Sequence, residues 1–337
     1  MKILNSIKKR LSGNYRLQEK LDLINFSNEL TKIIESRSIK DDRMLSYITR
    51  LKHFYKNEIS VINLGRFIGI RSARILFNSK NFNQYDFMYS AFEQEDKLTF
   101  GPMIIPVPIT NNDKILLCLE FNDILFQPLK EFYNFSLPDD LFIYDEGPYE
   151  IGKVRLKKDD IVFDCGANMG LFSALASVKG CKVYAFEPME YIINTYLSKT
   201  AAWNKNITIC PYALSDKKQF LSFGLNDENI GASTKMSSQK KESKQYQYQQ
   251  VQAITIDEFV IENKLDRVDF IKADIEGAER YMLEGGRNTI RQFSPKISIC
   301  TYHLPDDPKV LREKLLDIQP KYKITEKYKK MYAYVPD

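Results

Sequence analysis

The chain has 337 residues, of which 44% are hydrophobic and 28% are charged. This composition is typical of a folded globular protein and excludes a disordered, fibrous or disulfide-stapled chain. The net charge of +5 resides in residues 1–20, because the rest of the chain carries 43 basic and 43 acidic groups. A balanced body counts against a nucleic-acid-binding protein, and no apolar stretch reaches the roughly 20 residues of a membrane-spanning helix.

The N-terminal region is predicted to comprise residues 1–147, with helices up to about residue 58 and a β-hairpin after residue 100. Apolar residues recur at helical spacing in the first part, and two apolar runs on either side of Asn-Asn-Asp (111–113) indicate the hairpin. Residues 1–20 lack the apolar core of a secretory signal, and a solvated helix is favoured there over weak contact with a membrane surface. The five cysteines show no CxxC spacing, so we interpret them as reduced thiols of a cytoplasmic protein.

From residue 148 to 337 short apolar runs alternate with helical patterns, which predicts a mostly parallel sheet covered by helices on both faces. Strands are expected at 161–164, 182–186, 207–210, 268–274 and 296–303. One helix is expected from about Gly277 to Arg291, and another, with Pro308 in its first turn, to about Ile318. The last two runs, YKIT and MYAYV, are predicted to form an antiparallel pair at the sheet edge.

The segment DCGANMG follows the first of these strands, at the place where an open parallel sheet binds its ligand. Gly166 and Gly170 allow a sharp turn and a close approach to that ligand. Glu187 closes the second strand, where a carboxylate can accept hydrogen bonds from both hydroxyls of a ribose. The dinucleotide pattern G-x-G-x-x-G and the P-loop are both absent, which argues against an NAD-dependent sugar enzyme. The acid before the loop suits the sulfonium and ammonium of S-adenosylmethionine, so the residues favour this methyl donor.

Five segments in order, DCGANMG, VYAFEP, PYALSD, FIKADIEGAE and ICTYH, resemble the FkbM family of S-adenosylmethionine-dependent methyltransferases. The resemblance covers residues 145–337 and implies a Rossmann-like class I methyltransferase sheet whose last strand is antiparallel. It also implies O-methylation, commonly of sugars or polyketide-type natural products. Carried over residue by residue, the resemblance implies that the methionine end of the cofactor is held by Asp164, Gly166, Asn168 and Gly170. It implies that Glu187 binds the ribose, and that Ala213 and Asp216 lie against the adenine.

Methyl transfer to a hydroxyl requires a group that accepts the hydroxyl proton or lowers its pKa. Asp274 and Glu276 follow the fourth strand of this region, and His303 ends the next strand, so we expect all three at one edge of the sheet. Either His303 is the general base beside the two acids, or the three residues form a divalent-metal site. Two alternatives stay open: Glu276 and Glu279 are first-turn helix acids, and His303 is a structural histidine at a strand end.

The sequence therefore predicts a cytoplasmic S-adenosylmethionine-dependent O-methyltransferase that acts on a saccharide hydroxyl, in a cell-surface glycan or its precursor. Residues 1–147 are the candidate region for recognition of the substrate or a partner, and homo-oligomerisation is left open. The first alternative is a non-catalytic binding module on the same fold. The second is an RNA methyltransferase, which is disfavoured because ADIEG stands where base-methylating enzymes often carry an N-P-P-Y-type segment.

Overall fold

The structure is a computed structural model that describes residues 93–100, 102–110, 146–225 and 247–336, with the single residues Asp113, Leu117, Glu120 and Ile124. All of them belong to one of the two units into which the chain divides, Glu93–Pro128 with Tyr144–Asp337. The helices predicted before residue 58 lie outside the described residues. The predicted boundary between residues 147 and 148, and the recognition role of the region before it, stay predictions.

A β-hairpin is present in this region, but it is not the predicted one, because it is built from an earlier segment of the chain. Strands β1 (Glu93–Gln94), β2 (Lys97–Phe100) and β3 (Met103–Pro106) form a small antiparallel sheet in that order. The partner of β3 is therefore the strand that precedes it in the chain. The apolar run that follows Asn-Asn-Asp takes no part in the described pairing of this sheet.

That second apolar run, 114–121, is not the predicted strand, because Leu117 and Glu120 are helical. The backbone N–H of Asp113 donates to Oγ1 of Thr110 over 3.1 Å. This is the geometry of a helix N-cap, in which a threonine hydroxyl accepts from the N–H three residues later. The polar segment between the two apolar runs thus begins a helix, and the prediction of a hairpin turn there is wrong.

From residue 146 onward, strands and helices alternate as predicted. In chain order the elements are β4 (Ile161–Cys165), α1 (Leu171–Val178), β5 (Lys182–Phe186), α2 (Glu190–Ile192), α3 (Ser198–Trp203), β6 (Ile207–Cys210), β7 (Ala213–Leu214), β8 (Gln219–Leu225), β9 (Gln247–Ile254), α4 (Ile256–Glu262), β10 (Phe270–Ala273), α5 (Glu279–Gly285), α6 (Arg287–Phe293), β11 (Lys296–Cys300), α7 (Asp307–Ile318), β12 (Lys323–Lys327) and β13 (Lys330–Tyr334). A π-helical turn, Ile193–Leu197, joins α2 to α3. None of the helices among these described residues is long and apolar enough to cross a membrane.

The main sheet has seven strands in the order β12-β13-β11-β10-β4-β5-β6. Strands β11, β10, β4, β5 and β6 are parallel, while β13 is antiparallel to both of its neighbours. Every residue of β4 and β10 is buried, as expected for central parallel strands covered on both faces. The predicted Rossmann-like methyltransferase sheet, with its antiparallel last strand and its edge pair β12-β13, is confirmed. Strands β7, β9 and β8 form a separate three-stranded sheet.

The single helix predicted from Gly277 to Arg291 is instead two helices, α5 and α6, with a break at Gly286. A Cβ at Gly285 would overlap the carbonyl oxygen of Ser215. A Cβ at Gly286 would press against Ile256 at the start of α4. The glycine pair therefore allows the chain to bend where it touches the three-stranded sheet and α4, which a helical apolar pattern alone does not reveal.

Candidate active site

The loop after β4 carries the predicted glycines and is packed between two neighbouring strand ends. Gly166 and Gly170 have φ values of +80° and +87°, a conformation that favours glycine. The N–H of Gly166 donates to the carbonyl oxygen of Phe186, at the end of β5, over 3.0 Å. A Cβ at Gly166 would overlap the carbonyl oxygen of Asp274, just after β10. Glycine is thus needed at 166 for contact between protein segments as well as for the turn.

Glu187 lies directly after β5, and its carboxylate binds the loop. Oε2 accepts from the N–H of Asn168, and Oε1 accepts from the N–H of Met189, each over 3.0 Å. Burial raises the pKa of Glu187 to about 7, although the two N–H groups act to lower it. Each carboxylate oxygen can accept a second hydrogen bond. Glu187 can therefore receive both hydroxyls of a ribose without releasing the loop.

Asp164, the predicted acid before the loop, is fully buried. Its Oδ2 accepts from Oγ of Ser173, in α1, over 2.6 Å, and its Oδ1 lies 3.1 Å from Nζ of Lys272. In this conformation Asp164 stabilises the loop and the start of α1 from inside the protein. Its contact with the methionine end of a cofactor stays a prediction.

Lys272 is a buried residue of the site that was not predicted from the sequence, although it lies within the segment FIKADIEGAE. It lies opposite Asp164 in the pairing of β10 with β4, and its Nζ donates to the carbonyl oxygen of Gly166 over 2.6 Å. Burial acts to lower the pKa of Lys272, but Asp164 and Asp274 outweigh it, so the pKa is raised and the ammonium stays charged. A lysine inside the otherwise apolar run FIKA is the signal that could have found it, because a buried lysine needs a partner.

The two residues predicted to lie against the adenine have different surroundings. Ala213 is buried in β7 and packs with Met189, two residues after Glu187. Asp216 is exposed, and its Oδ1 accepts from the hydroxyl of Ser215 over 3.1 Å. Ala213 thus lies beside the segment that follows Glu187, whereas no hydrogen bond or ion pair among the described residues joins Asp216 to that segment.

Asp274, Glu276 and His303 come together at the carboxyl ends of β10 and β11. Asp274 directly follows β10, and His303 lies three residues beyond β11. Nε2 of His303 is 3.4 Å from Oδ1 of Asp274 and 3.7 Å from Oε2 of Glu276. Burial raises the pKa of Glu276 to about 7, and its φ of +57° places the backbone in the left-handed region. The structure thus joins the two acids and the histidine in one cluster.

Glu279, in the first turn of α5, is fully buried and belongs to the same cluster. Its Oε1 accepts from the N–H of Ile275 over 2.9 Å and lies 2.9 Å from Nδ1 of His303. Burial acts to lower the pKa of His303, but Glu279, Asp274 and Glu276 outweigh it and raise the pKa to about 9. A histidine that carries a proton at neutral pH cannot accept one, and this arrangement weighs against His303 as a free general base.

Two tyrosines fix the carboxylate of Asp274. The Tyr149 hydroxyl donates to Oδ2 over 2.6 Å, and the Tyr302 hydroxyl donates to Oδ1 over 3.2 Å. Burial acts to raise the pKa of Asp274, but Lys272 and Lys330 hold it below its usual range. Asp274 is therefore an ionised carboxylate in a fixed orientation. The sequence motifs do not identify Tyr149, because it lies more than a hundred residues away in the chain.

Two further acids add negative charge to this edge of the sheet. Burial raises the pKa of Glu120 to about 7, and the charges of Asp274 and Glu146 act in the same direction. Burial also raises the pKa of Glu146. Since these carboxylates disfavour one another's ionised form, the edge is a place where a cation would be stabilised.

Comparison with known proteins agrees with this arrangement. Residues 164–331 match the model of the methyltransferase FkbM domain. The hexuronic acid methyltransferase AglP of Haloferax volcanii is 24% identical over 170 residues, which are 50% of this chain and 67% of that protein.

Two solved structures of methyltransferases are similar to the chain. Methyltransferase FkbM from Methylobacillus flagellatus is 20% identical with a TM-score of 0.42, and the match covers 67% of this chain and 55% of that chain. Precorrin-6y C5,15-methyltransferase from Geobacter metallireducens is 16% identical with a TM-score of 0.32, and the match covers 54% and 81% of the two chains. On the match of residues 164–331, the sheet order and the loop after β4, this chain belongs to the FkbM family of methyltransferases.

Proposed function

We propose that the protein transfers the methyl group of S-adenosylmethionine to a hydroxyl of a saccharide, in a cell-surface glycan or its precursor. The main support for this cofactor is the carboxylate of Glu187, which follows β5 beside the glycine loop. Each of its oxygens accepts one hydrogen bond from the protein and can accept another. A carboxylate in that position suits the two hydroxyls of an adenosine ribose. The loop lacks the glycine pattern that binds a pyrophosphate, so a nucleoside without one is the better fit.

The residues of the chain would hold the cofactor along the ends of β4 and β5. Glu187 would bind the ribose, the backbone of Asn168 and Gly170 would face the methionine end, and Ala213 would flank the adenine. When bound, the cofactor supplies an electrophilic methyl group on a sulfonium. The protein then has to align the acceptor oxygen, the methyl carbon and the sulfur, and alignment of this kind is worth about 7–11 kcal/mol.

A saccharide acceptor is supported by the polar edge beside the loop and by one relative. Asp274 is partly buried, and Glu276 and Tyr302 are exposed. The oxygens of all three can accept hydrogen bonds from the hydroxyls of a sugar. The relative from Haloferax volcanii is a hexuronic acid methyltransferase. The acceptor hydroxyl has to lose its proton at this edge, either to one of the acids, to His303, or through a bound cation.

Calorimetric titration of the full chain with S-adenosylmethionine tests the proposal, with Glu187→Ala as the variant. We expect micromolar binding by the wild type and at least tenfold weaker binding by the variant, which is about 1.4 kcal/mol. Glu190→Ala is the matched control, because Glu190 is an exposed acid three residues later and its loss should leave binding unchanged.

Acceptor assays with mass detection of the methylated product complete the test. Methylation of saccharides that Glu187→Ala reduces in parallel with cofactor binding supports the proposal. Failure of the wild type to bind S-adenosylmethionine would overturn it in favour of a non-catalytic module. Methylation of RNA in place of saccharides would overturn the acceptor class alone.

A further inference from the structure

We propose that the protein binds one divalent cation at the carboxyl ends of β10 and β11, through Asp274 Oδ1, Glu276 Oε2 and His303 Nε2. In this arrangement Glu279 is a positioning residue, because it contacts Nδ1 on the opposite side of the imidazole ring. Binding of the ion stands on the geometry of these residues. The role of the ion in the reaction, given below, rests on the proposed methyl transfer.

Two of the three distances among these ligand atoms are close to those that a shared ion requires. Nε2 of His303 lies 3.4 Å from Oδ1 of Asp274 and 3.7 Å from Oε2 of Glu276. Ligands about 2.0–2.2 Å from a cation, at angles of about 90–110°, are separated by roughly 2.8–3.6 Å. A cation held by Asp274 and His303 would therefore take Glu276 as its third ligand after a rotation of this side chain, which is 36% exposed.

The surroundings of the His303 imidazole support a cation at this point independently of the distances. The side chain of His303 is only 7% exposed, and its Nε2 makes no hydrogen bond to any described residue. A buried polar atom without such a partner is costly. Nε2 faces Asp274 and Glu276, and a cation bound there would replace the proton on this nitrogen.

The nearby lysines are engaged elsewhere. Nζ of Lys272 is engaged by Asp164 and by the carbonyl oxygen of Gly166. Nζ of Lys330 donates to the carbonyl oxygen of Glu146 and lies over the ring of Tyr149. Among the described residues, no lysine therefore forms an ion pair or a hydrogen bond with Glu276 or Glu279.

A different set of donor atoms, from Asp274, Glu279 and His303, lies within 4.8 Å of one another. Oε1 of Glu279 is already occupied by the N–H of Ile275 and faces Nδ1. The two ring nitrogens of one imidazole point in different directions, so an ion on Nε2 leaves Nδ1 to its carboxylate neighbour. A carboxylate on the far nitrogen of a metal-bound histidine orients the ring and increases its basicity.

One nitrogen and two carboxylate oxygens suit Mn²⁺ or Mg²⁺, which prefer oxygen-rich sites and keep open positions for water or substrate. An open position beside the glycine loop would take the acceptor hydroxyl and lower its pKa. The proton could then pass to a carboxylate of this edge, so the histidine need not act as a base.

Titration of the full chain with Mn²⁺, followed by electron paramagnetic resonance and by calorimetry, tests the site without any methyl transfer. We expect one bound ion per chain, at least tenfold weaker binding in His303→Ala and in Glu276→Gln, and unchanged binding in the control Glu313→Gln. Glu313 is an exposed acid of α7, and the side chain of Glu276 is 36% exposed, so both glutamine variants should fold.

Each outcome of this titration is decisive. Absence of stoichiometric Mn²⁺ binding, or binding that His303→Ala and Glu276→Gln leave unchanged, would overturn the site. The affinity of Glu276→Gln for S-adenosylmethionine is measured in parallel and should equal that of the wild type. If Mn²⁺ binds but S-adenosylmethionine does not, the proposed function fails while the cation site stands.

Discussion

Replacement of Glu276 by glycine should leave the protein more stable than replacement by alanine, although both variants lose a ligand of the proposed cation. Glu276 has a φ of +57°, in the left-handed region that costs a residue with a Cβ about 1–2 kcal/mol. Glycine removes this cost but loses about 0.4–1 kcal/mol more chain entropy on folding than alanine does. The Glu276→Gly variant should therefore be more stable than Glu276→Ala by about 0.5–1 kcal/mol.

The comparison with Glu276→Ala isolates the backbone, because both variants lack the carboxylate and its contact with His303. For a domain of about 150–250 residues, a change of 1 kcal/mol moves the unfolding midpoint by about 2–4 °C. Thermal unfolding in the presence of a chelator, followed by circular dichroism, should thus show glycine above alanine by about 1–4 °C. An alanine variant as stable as the glycine variant would refute the reasoning from backbone strain.

The same variants connect stability to the ion. A ligand at 100 times its dissociation constant stabilises the folded state by about 2.7 kcal/mol. Added Mn²⁺ should therefore raise the unfolding midpoint of the wild type, and should raise that of Glu276→Gly and Glu276→Ala much less. An equal rise in all three proteins would place the ion elsewhere.

Two further predictions concern the cofactor side of the site. The Lys272→Met substitution leaves the carboxylate of Asp164 buried without its ion-pair partner. It should lower the unfolding free energy measured by urea denaturation by about 3–5 kcal/mol. Adding Asp164→Leu to the same variant should recover part of this loss. Burial raises the pKa of Glu187 to about 7, and the protonated acid accepts fewer hydrogen bonds, so the affinity for S-adenosylmethionine should fall below pH 7. In calorimetry between pH 6 and 8, Glu187→Gln should abolish this part of the pH dependence.

These expectations have clear opposites. A Lys272→Met variant as stable as the wild type would contradict the view that the ion pair of Lys272 with Asp164 stabilises the fold. Parallel pH profiles for the wild type and Glu187→Gln would mean that the titration belongs to the ligand or to another residue.

The alternation of strands and helices after residue 148 was predictable because each buried strand is a short apolar run bounded by turns. The antiparallel last strand followed from the family resemblance and from the spacing of YKIT and MYAYV. The polar residues before residue 114 led to the wrong prediction of a hairpin turn, because such residues favour both turns and helix starts. The hydrogen bond from the N–H of Asp113 to Thr110 identifies a helix start. The break at Gly286 likewise depends on contacts with distant segments.

The polar residues that follow strands were easier to identify from sequence than the residues that hold them. Asp274, Glu276 and His303 follow strands, and parallel strands bring their carboxyl ends together. Glu279 and Lys272 become part of the site only through burial beside His303 and Asp164. Charged residues inside apolar segments are therefore the feature to examine when such a sequence is read.

The packing of Gly166 against the carbonyl oxygen of Asp274 has a consequence for how this enzyme can change over evolution. The loop after β4 and the end of β10 cannot change position independently, since a side chain at Gly166 would push them apart. New acceptor preferences then have to arise from substitutions in the segments that surround these two. An engineer who seeks a different methylated product should accordingly leave the loop and the end of β10 untouched and vary the segments around them.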